Sequence, residues 1–257
     1  MIDNNINNPN ENILYIIYSH SSYSDILNIQ NDYISDIKEE KILFIDKLDE
    51  NIKYNFDRII LYDDNLNYSK RLYNCLEIVN TVKFIIFLHD NDIILYKSQS
   101  DLNNLIKIMK VNYIDRIDLQ IKDIPGNNII NYNEYILIKN NNINNYIYNV
   151  NPSIWRYNKF KELMNNFNNS YVNIEHACQE YCYNNLNVYT LYSKNIIRCG
   201  FHNLTNIFVF LHITKNGELT PVDNNVNNLD KNIQEIYDKI LNKYNISRKI
   251  RPAISIY

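Results

Sequence analysis

The sequence contains 257 residues, 46% of them hydrophobic, and carries a formal net charge of −3 at pH 7. This apolar content is typical of a chain that folds, and the length suits one large domain. The nearly neutral charge argues against a general nucleic-acid-binding protein, which usually has a strong basic excess. We therefore expect a folded protein without a nucleic-acid partner.

The sequence also predicts a protein without a membrane span. Its apolar runs at residues 84–88 and 207–213 have the length of strands, not of a membrane-spanning helix. Residues 1–12 are polar and lack the apolar stretch of a secretory signal. We expect a flexible tail over residues 1–12 and a cytoplasmic protein.

The four cysteines allow two interpretations. Cys178 and Cys182, followed by Cys199 and His202, offer four ligands of the zinc type. However, the four-residue spacing of the first two is typical of one helix face, not of a zinc knuckle. The alternative is that these cysteines and Cys75 are reduced, buried thiols, and we favour it.

Strand-like and helical segments alternate along the first half of the chain. Continuous apolar runs predict buried strands, and apolar residues at three- and four-residue steps predict helices. The predicted strands are 13–18, 41–45, 58–62, 82–88 and 114–119. Helices are predicted around 26–37, 72–79 and 100–109, the last with an N-cap at Ser100-Asp101. This alternation predicts an α/β fold with a mixed, mainly parallel sheet and helices on both faces.

The second half of the chain has a less regular pattern. Its predicted elements are short strands or a hairpin within 131–150, a turn at 151–155, helices at 157–164 and 175–183, and strands at 188–192 and 207–213. A final amphipathic helix at 233–241 is expected to dock on the sheet. No linker divides the chain, so we expect a single domain over residues 13–257.

Polar clusters follow three of the predicted strands. They are Ser19–Ser22 after 13–18, Asp63–Asn65 after 58–62, and Asp90–Asp92 after 82–88. Ligands of parallel α/β sheets bind outside the carboxyl ends of the strands. We therefore expect the three clusters to lie at neighbouring strand ends and to form one site.

The scarcity of glycine limits how phosphates can be bound. The chain contains only Gly126, Gly200 and Gly217, so it has no Gly-rich phosphate loop, dinucleotide fingerprint or nucleophile elbow. Asp90 and Asp92 instead offer hard carboxylate oxygens, which suit Mg²⁺ or Mn²⁺. Such an ion can neutralise the charge of a leaving diphosphate. A solvated turn is the alternative for an Asp-x-Asp triplet alone, but its position after the most apolar strand favours a metal site.

Several short motifs resemble those of GT-A-type glycosyltransferases. Residues 68–76 and 84–92, which end at the Asp-x-Asp triplet, resemble the donor-binding half of these enzymes. Residues 151–160 and the later segment 200–217 are similar to motifs of uncharacterised bacterial and viral sugar transferases. The resemblance covers about residues 13–219.

This resemblance implies a GT-A-like (Rossmann-like) fold and transfer of a sugar from a nucleotide-diphosphate donor, with Mn²⁺ or Mg²⁺ as cofactor. The donor half would be residues 13–125, and the acceptor half, with the C-terminal helix, residues 126–257. The acceptor would be a glycan, a protein or a small molecule; a viral protein would act in the host cytoplasm. Two positions depart from the pattern: His89 stands where relatives often carry an acid, and Asn151 where they often carry Gln.

The resemblance also implies roles at the donor side. The residues implied to bind the nucleotide donor are Ser19, His20, Ser21, Asp63, Asp64, Arg71 and Asp90. Asp92 would be a direct ligand of the metal ion, and Asp90 would coordinate it through water or contact the ribose. His202 or His212 would be a further ligand from the C-terminal half. The alternatives are a solvated helix residue for the arginine and hydrogen-bonded core residues for the two histidines.

At the acceptor side, Trp155 would stack on the acceptor and Glu175 would be the base that deprotonates its hydroxyl group. A core position for Trp155 and a helix cap for Glu175 are the alternatives. Two other functions also stay open at this point. One is a non-catalytic binding or scaffold protein with the same fold, and the other is a nucleotidyltransferase, although the Gly-rich basic loop usual in that class is absent after residue 18.

Overall fold

The structure is a computed structural model that describes residues 13–79, 83–120, 128–133, 135–141, 146–192, 202–215, 217–220, 229–247, 249 and 251. The tail predicted for residues 1–12 lies outside the described residues, as do Gly126, Cys199 and Gly200.

The described residues form fourteen strands, seven α-helices and one short 3₁₀ turn at Ser21–Tyr23. The strands are β1 (Ile13–Tyr18), β2 (Lys41–Ile45), β3 (Arg58–Leu61), β4 (Phe84–His89), β5 (Asp92–Lys97), β6 (Arg116–Asp118), β7 (Ile129–Tyr132), β8 (Tyr135–Lys139), β9 (Ser153–Arg156), β10 (Val188–Tyr192), β11 (Asn203–Leu204), β12 (Phe208–His212), β13 (Thr214–Lys215) and β14 (Glu218–Leu219). The helices are α1 (Ser24–Tyr33), α2 (Tyr68–Ile78), α3 (Gln99–Val111), α4 (Tyr157–Asn166), α5 (Tyr171–Ala177), α6 (Gln179–Asn185) and α7 (Leu229–Lys243).

Nine strands form the central sheet, in the order β3-β2-β1-β4-β9-β6-β10-β8-β7. Strands β1, β2, β3 and β4 are parallel to one another, and β6 is parallel to β10. Only β8 and β9 run in the opposite direction. The mixed, mainly parallel sheet predicted from the sequence is therefore confirmed.

Strands β1, β2 and β4 of this sheet are buried on both faces, which explains their continuous apolar runs. In β1, Tyr15 and Ile17 point to one face and Leu14 and Ile16 to the other, because side chains alternate along a strand. Helices α1 and α3 cover the first face, and α2 and α4 cover the second. Each fully buried Ile, Leu or Phe contributes roughly 1.5–3 kcal/mol relative to an exposed one.

A smaller antiparallel sheet, β11-β12-β5, continues from the carboxyl end of β4. Strand β5 was absent from the sequence prediction. The amphipathic helix α7 packs on this smaller sheet and not on the central one, because Tyr237 and Ile240 join a cluster with Ile93, Leu211 and Ile26. The expected docking of the last helix is thereby corrected.

Three local predictions are also corrected. The turn expected at 151–155 contains the start of β9, which pairs with β4 on one side and β6 on the other. Helix α3 begins two residues earlier than expected, since Ser98 is the N-cap and its side chain accepts a hydrogen bond from the backbone N–H of Asp101. The helix expected at 175–183 is divided into α5 and α6 at Cys178.

The cysteines that the structure describes are buried thiols. Cys75, Cys178 and Cys182 are at most 1% exposed, and burial raises the pKa of Cys75 and of Cys182 to about 12. Neutral, buried thiols fit the interpretation that we favoured, while Cys199 of the zinc alternative lies outside the described residues. None of the helices described here is both long and apolar enough to cross a membrane.

Candidate functional site

The order of the parallel strands reverses between β1 and β4, whose carboxyl ends lie side by side. From β1 the chain moves outward through β2 and β3, and then returns to β4 on the other side of β1. Such a reversal separates the loops that follow the two central strands and is the usual ligand site of an open α/β sheet. Ser19 follows β1 and Asp90 follows β4 at this point. The Ser19 hydroxyl donates a hydrogen bond of 2.5 Å to Asp90 Oδ2.

Asp90 is a buried acid with a strongly changed proton affinity. It is only 6% exposed. Burial raises the pKa of Asp90 to about 7, and the nearby charge of Asp92 acts in the same direction, although the hydrogen bond from Ser19 opposes both. A positive charge beside this carboxyl group would favour its ionised form.

We expect Asp90→Asn to flatten the pH dependence of the free energy of unfolding. The raised pKa means that the folded protein binds this proton more tightly than the unfolded chain. The resulting stabilisation is complete below about pH 4 and is lost as the pH rises through 7. The free energy of unfolding would be measured with urea in the presence of a chelator. Its change between pH 5 and pH 8 should differ between Asp90→Asn and wild type by roughly 2–3 kcal/mol. The exposed Asp63→Asn is the control, and an equal pH dependence in all three proteins would contradict the expectation.

Asp92 is held by a histidine from the C-terminal half of the chain. Asp92 begins β5 and is 2% exposed, and its register partner in β12 is His212. His212 Nδ1 lies 2.6 Å from Asp92 Oδ1 in a hydrogen bond. His202 is 1% exposed, and its Nδ1 accepts a hydrogen bond of 3.1 Å from the backbone N–H of His212. Of the two histidines, His212 thus contacts the Asp-x-Asp pair directly, whereas His202 supports its backbone.

A second polar cluster lies at the carboxyl ends of β1, β2 and β3. The backbone N–H and the hydroxyl of Ser21 each donate a hydrogen bond of 2.6 Å to Asp46, which follows β2. His20 Nε2 lies 3.8 Å from Asp46 Oδ2 and 3.3 Å from Asp64 Oδ2. Arg71 Nη2 lies 2.7 Å from Asp64 Oδ1. The cluster therefore unites His20, Ser21, Asp64 and Arg71 of the predicted donor residues with Asp46, which sequence analysis missed.

His20, Asp46 and Asp64 are the one group of three His, Cys, Asp or Glu side chains, among the described residues, whose ligand atoms all lie within 4.8 Å of one another. The hydrogen bonds of the imidazole nevertheless argue against a metal ion there. His20 Nδ1 accepts a hydrogen bond of 3.1 Å from the backbone N–H of Ser22. The neutral ring therefore carries its hydrogen on Nε2, which faces both carboxylates as a donor and offers no lone pair. We interpret this group as a hydrogen-bonded cluster.

Strand β3, which Asp63 follows, is not a neighbour of β1, so the expected neighbourhood of three strand ends is wrong in this respect. Strand β2 lies between β1 and β3 because the first crossover, through α1, leads to the strand next to β1. Asp63 is exposed, and its carboxylate accepts hydrogen bonds from the backbone and side chain of Asn65. Its role in the structure is to stabilise this turn.

Trp155 lies in the core, which corrects its expected position at the acceptor. It is 1% exposed, its ring packs 5.0 Å from that of Phe160, and its Nε1 donates to Ser153 Oγ. As part of β9 it fills the space under α4 and has no free face for a ligand. Glu175 is half-buried, and its Oε1 accepts a hydrogen bond of 2.8 Å from the backbone N–H of Val150. The role of Glu175 as a base stays a prediction.

His89 is a neutral side chain of the site. The Tyr68 hydroxyl lies 2.8 Å from His89 Nε2, and His89 Nδ1 lies 3.2 Å from the carbonyl oxygen of Val150. Since the carbonyl can only accept, Nδ1 carries the hydrogen and Nε2 accepts from the tyrosine. Burial lowers the pKa of His89 to about 4. An imidazole held in this state cannot replace an acidic metal ligand at this position.

Arg251 brings a positive charge to the site from the C-terminal segment. Its Nε and Nη2 each donate a hydrogen bond of 2.7 Å to Asp25, and its Nη1 donates to the carbonyl oxygen of Gly217 at 3.1 Å. Gly217 has a φ of +85°, so a side chain would strain this turn between β13 and β14. The guanidinium group lies 4.8 Å from the ring centre of Tyr23, and its charge favours ionisation of Asp90.

No protein-family model matches the sequence, and no curated protein sequence matches it. The fold is shared with a glycosyltransferase. Over 96% of this chain and 66% of the other, the structure is similar to the glycosyltransferase GlyE of Streptococcus pneumoniae TIGR4, with a TM-score of 0.52 and 11% identity. At this identity the similarity establishes the fold alone. The GT-A-like fold expected from the sequence is confirmed.

Two further solved structures match more weakly. S. aureus TarS matches 70% of this chain with a TM-score of 0.47 and 13% identity, and this chain spans 60% of that one. The 2-C-methyl-D-erythritol 4-phosphate cytidylyltransferase IspD of Francisella tularensis matches 72% of this chain and 93% of its own, with a TM-score of 0.42 and 14% identity. At such scores neither similarity distinguishes between sugar transfer and nucleotidyl transfer.

Proposed function

We propose that this protein is a metal-dependent glycosyltransferase that moves a sugar from a nucleotide-diphosphate donor to an acceptor hydroxyl group. The observation that carries the proposal is the hydrogen-bonded pair of Ser19 and Asp90 at the reversal of strand order, with Asp92 two residues further on. This arrangement occurs in a fold shared with the glycosyltransferase GlyE.

Asp90 and Asp92 are the residues that would hold Mn²⁺ or Mg²⁺. Both are buried carboxyl groups, and burial, with a smaller contribution from the charge of Asp92, raises the pKa of Asp90 to about 7. A donor set of two hard oxygens in such a place fits a divalent cation. When bound, the ion would neutralise the negative charge that develops on the leaving diphosphate. His212 orients Asp92 through their hydrogen bond, and we propose it as the histidine nearest to the ion.

The cluster at the ends of β1, β2 and β3 would hold the nucleoside. Asp46 and Asp64 provide acceptors for hydroxyl and N–H groups, and Ser21 and His20 fix their orientation. Although burial opposes it, the hydrogen bonds from Ser21 lower the pKa of Asp46, so its carboxylate is ionised at neutral pH. On the acceptor side, Glu175 would take the proton of the attacking hydroxyl group.

The test is a panel of nucleotide sugars with Mn²⁺, read first by thermal shift and then by product release. A ligand present at a hundred times its dissociation constant stabilises the folded protein by about 2.7 kcal/mol, so the true donor should raise the melting temperature clearly. We expect release of nucleoside diphosphate that stops when a chelator removes the metal ion.

The same panel, extended with nucleoside triphosphates and sugar phosphates, separates the rival functions. A scaffold protein would bind a donor without releasing any product. A nucleotidyltransferase would release pyrophosphate from a nucleoside triphosphate and a sugar phosphate. Release of pyrophosphate, or no release with any donor, would contradict the proposed function.

A further inference from the structure

Tyr171, the first residue of α5, is an exposed aromatic side chain that packs against the site. It is 41% exposed, whereas Tyr68 and His89 beneath it are at most 5% exposed. The ring centre of Tyr171 lies 5.2 Å from that of Tyr68 and 5.4 Å from that of His89, and both contacts are nearly perpendicular. Because His89 directly precedes Asp90, Tyr171 lies over the carboxyl end of β4.

The hydroxyl group of Tyr171 lies in the electrostatic field of three carboxylates. Local burial of this group raises the pKa of Tyr171 well above its usual value, and the charges of Asp92, Glu175 and Asp90 add to the effect. The phenol is therefore protonated at neutral pH and acts as a hydrogen-bond donor, not as a base.

Tyr171 lies close to both the proposed metal ligands and the proposed catalytic base. Glu175 follows it by four residues on α5, and residues at this spacing share a helix face. Tyr171 thus contacts the residue that precedes Asp90 and lies one helical turn from the proposed base. In a transfer reaction the migrating sugar occupies the space between the leaving diphosphate and the acceptor oxygen.

We propose that Tyr171 forms one wall of the subsite for the transferred sugar and donates a hydrogen bond from its hydroxyl group to a sugar hydroxyl. This inference rests on the proposed function and assigns its sugar-contacting residue. A tyrosine offers an apolar ring and a polar tip, which match the C–H face and the hydroxyl groups of a pyranose. The nucleoside cluster at the ends of β1 to β3 is not among its contacts, so Tyr171 distinguishes sugars and not nucleotides.

The experiment compares each nucleotide sugar with the nucleoside diphosphate that lacks the sugar. Isothermal titration in the presence of Mn²⁺ would measure the dissociation constants of wild type, Tyr171→Ala and Tyr171→Phe. The ligand pairs are UDP-glucose and UDP, UDP-N-acetylglucosamine and UDP, and GDP-mannose and GDP. For the pair that wild type binds, Tyr171→Ala should weaken binding of the nucleotide sugar roughly tenfold, the effect of a lost contact and hydrogen bond. Binding of the nucleoside diphosphate should not change. Tyr171→Phe keeps the ring and should show a smaller loss.

Tyr183→Ala is the matched control, since Tyr183 is a 51% exposed tyrosine on the next helix, α6. It should bind both ligands like wild type. Equal affinities of Tyr171→Ala and wild type for the nucleotide sugar, or an equal loss for both ligands, would overturn the assignment of Tyr171 alone. If wild type binds neither the nucleotide sugars nor the diphosphates, the proposed function fails as well.

Discussion

Asp92→Asn should reduce metal-dependent turnover roughly a hundredfold or more while the protein stays folded, because one preorganised charge-stabilising group is lost. Asparagine keeps the size of the side chain and an oxygen that can accept the hydrogen bond from His212. It removes the negative charge that we propose to hold the cation next to the diphosphate. Turnover would be measured as release of nucleoside diphosphate over a range of Mn²⁺ concentrations, with the donor that the panel identifies.

Asp63→Asn is the matched control for this variant. Asp63 also follows a strand of the parallel set, but it is exposed and its carboxylate binds Asn65 within its own turn. We expect its turnover and its dependence on Mn²⁺ to equal those of wild type. A folded Asp92→Asn protein with unchanged Mn²⁺-dependent turnover would falsify the metal role of Asp92.

The fold could be predicted where burial on both faces creates a local signal. Strands β1 and β4 are buried at every residue, so each reads as an uninterrupted apolar run. Strands β5 and β9 were missed because they exist through pairing with distant segments. Strand β9 has four residues, directly follows Pro152 in the sequence, and pairs with β4 on one side and β6 on the other. Because turn residues precede this short strand, the local sequence gives no sign of its pairing with distant strands.

The site was predictable to the extent that its residues form clusters along the chain. Ser19 and Asp90 were identified because each follows an apolar run, and the parallel order joins their ends. Asp46 also follows a strand, but it is not part of a cluster of polar residues in the sequence, so sequence analysis did not identify it. Tyr171 is one of 23 tyrosines, so residue type could not single it out. Its position depends on how α5 packs on α2 and β4, which only the structure shows.

A buried cation in the same sheet is expected to control stability, not activity. Arg116, at the start of β6, has no exposed surface and lies over the ring of Trp155 at 5.1 Å. Its two terminal nitrogens donate hydrogen bonds of 2.9 Å to the carbonyl oxygens of Ile147 and Asn149, and Nη2 lies 3.9 Å from Asp118 Oδ2. This one side chain therefore joins the segment 146–149 to β6 and β9.

We expect Arg116→Met to lower the free energy of unfolding by about 3–5 kcal/mol, the usual cost of removing one partner of a buried ion pair. Methionine preserves most of the volume and leaves the buried carboxylate of Asp118 without its cation. The double variant Arg116→Met/Asp118→Leu removes the carboxylate together with its cation, so it should be less destabilised than the sum of its two single variants. Urea unfolding of the four proteins gives this coupling energy.

Arg58→Met is the control at a surface ion pair. Arg58 begins β3 as Arg116 begins β6, but its side chain is 43% exposed and lies 3.7 Å from Glu40. Water already solvates both of these charges, so this substitution should cost at most about 1 kcal/mol. Equal losses of stability for Arg58→Met and Arg116→Met would mean that the buried position adds nothing to the ion pair. A large loss for Arg116→Met with additive single variants would instead attribute its role to the hydrogen bonds with Ile147 and Asn149.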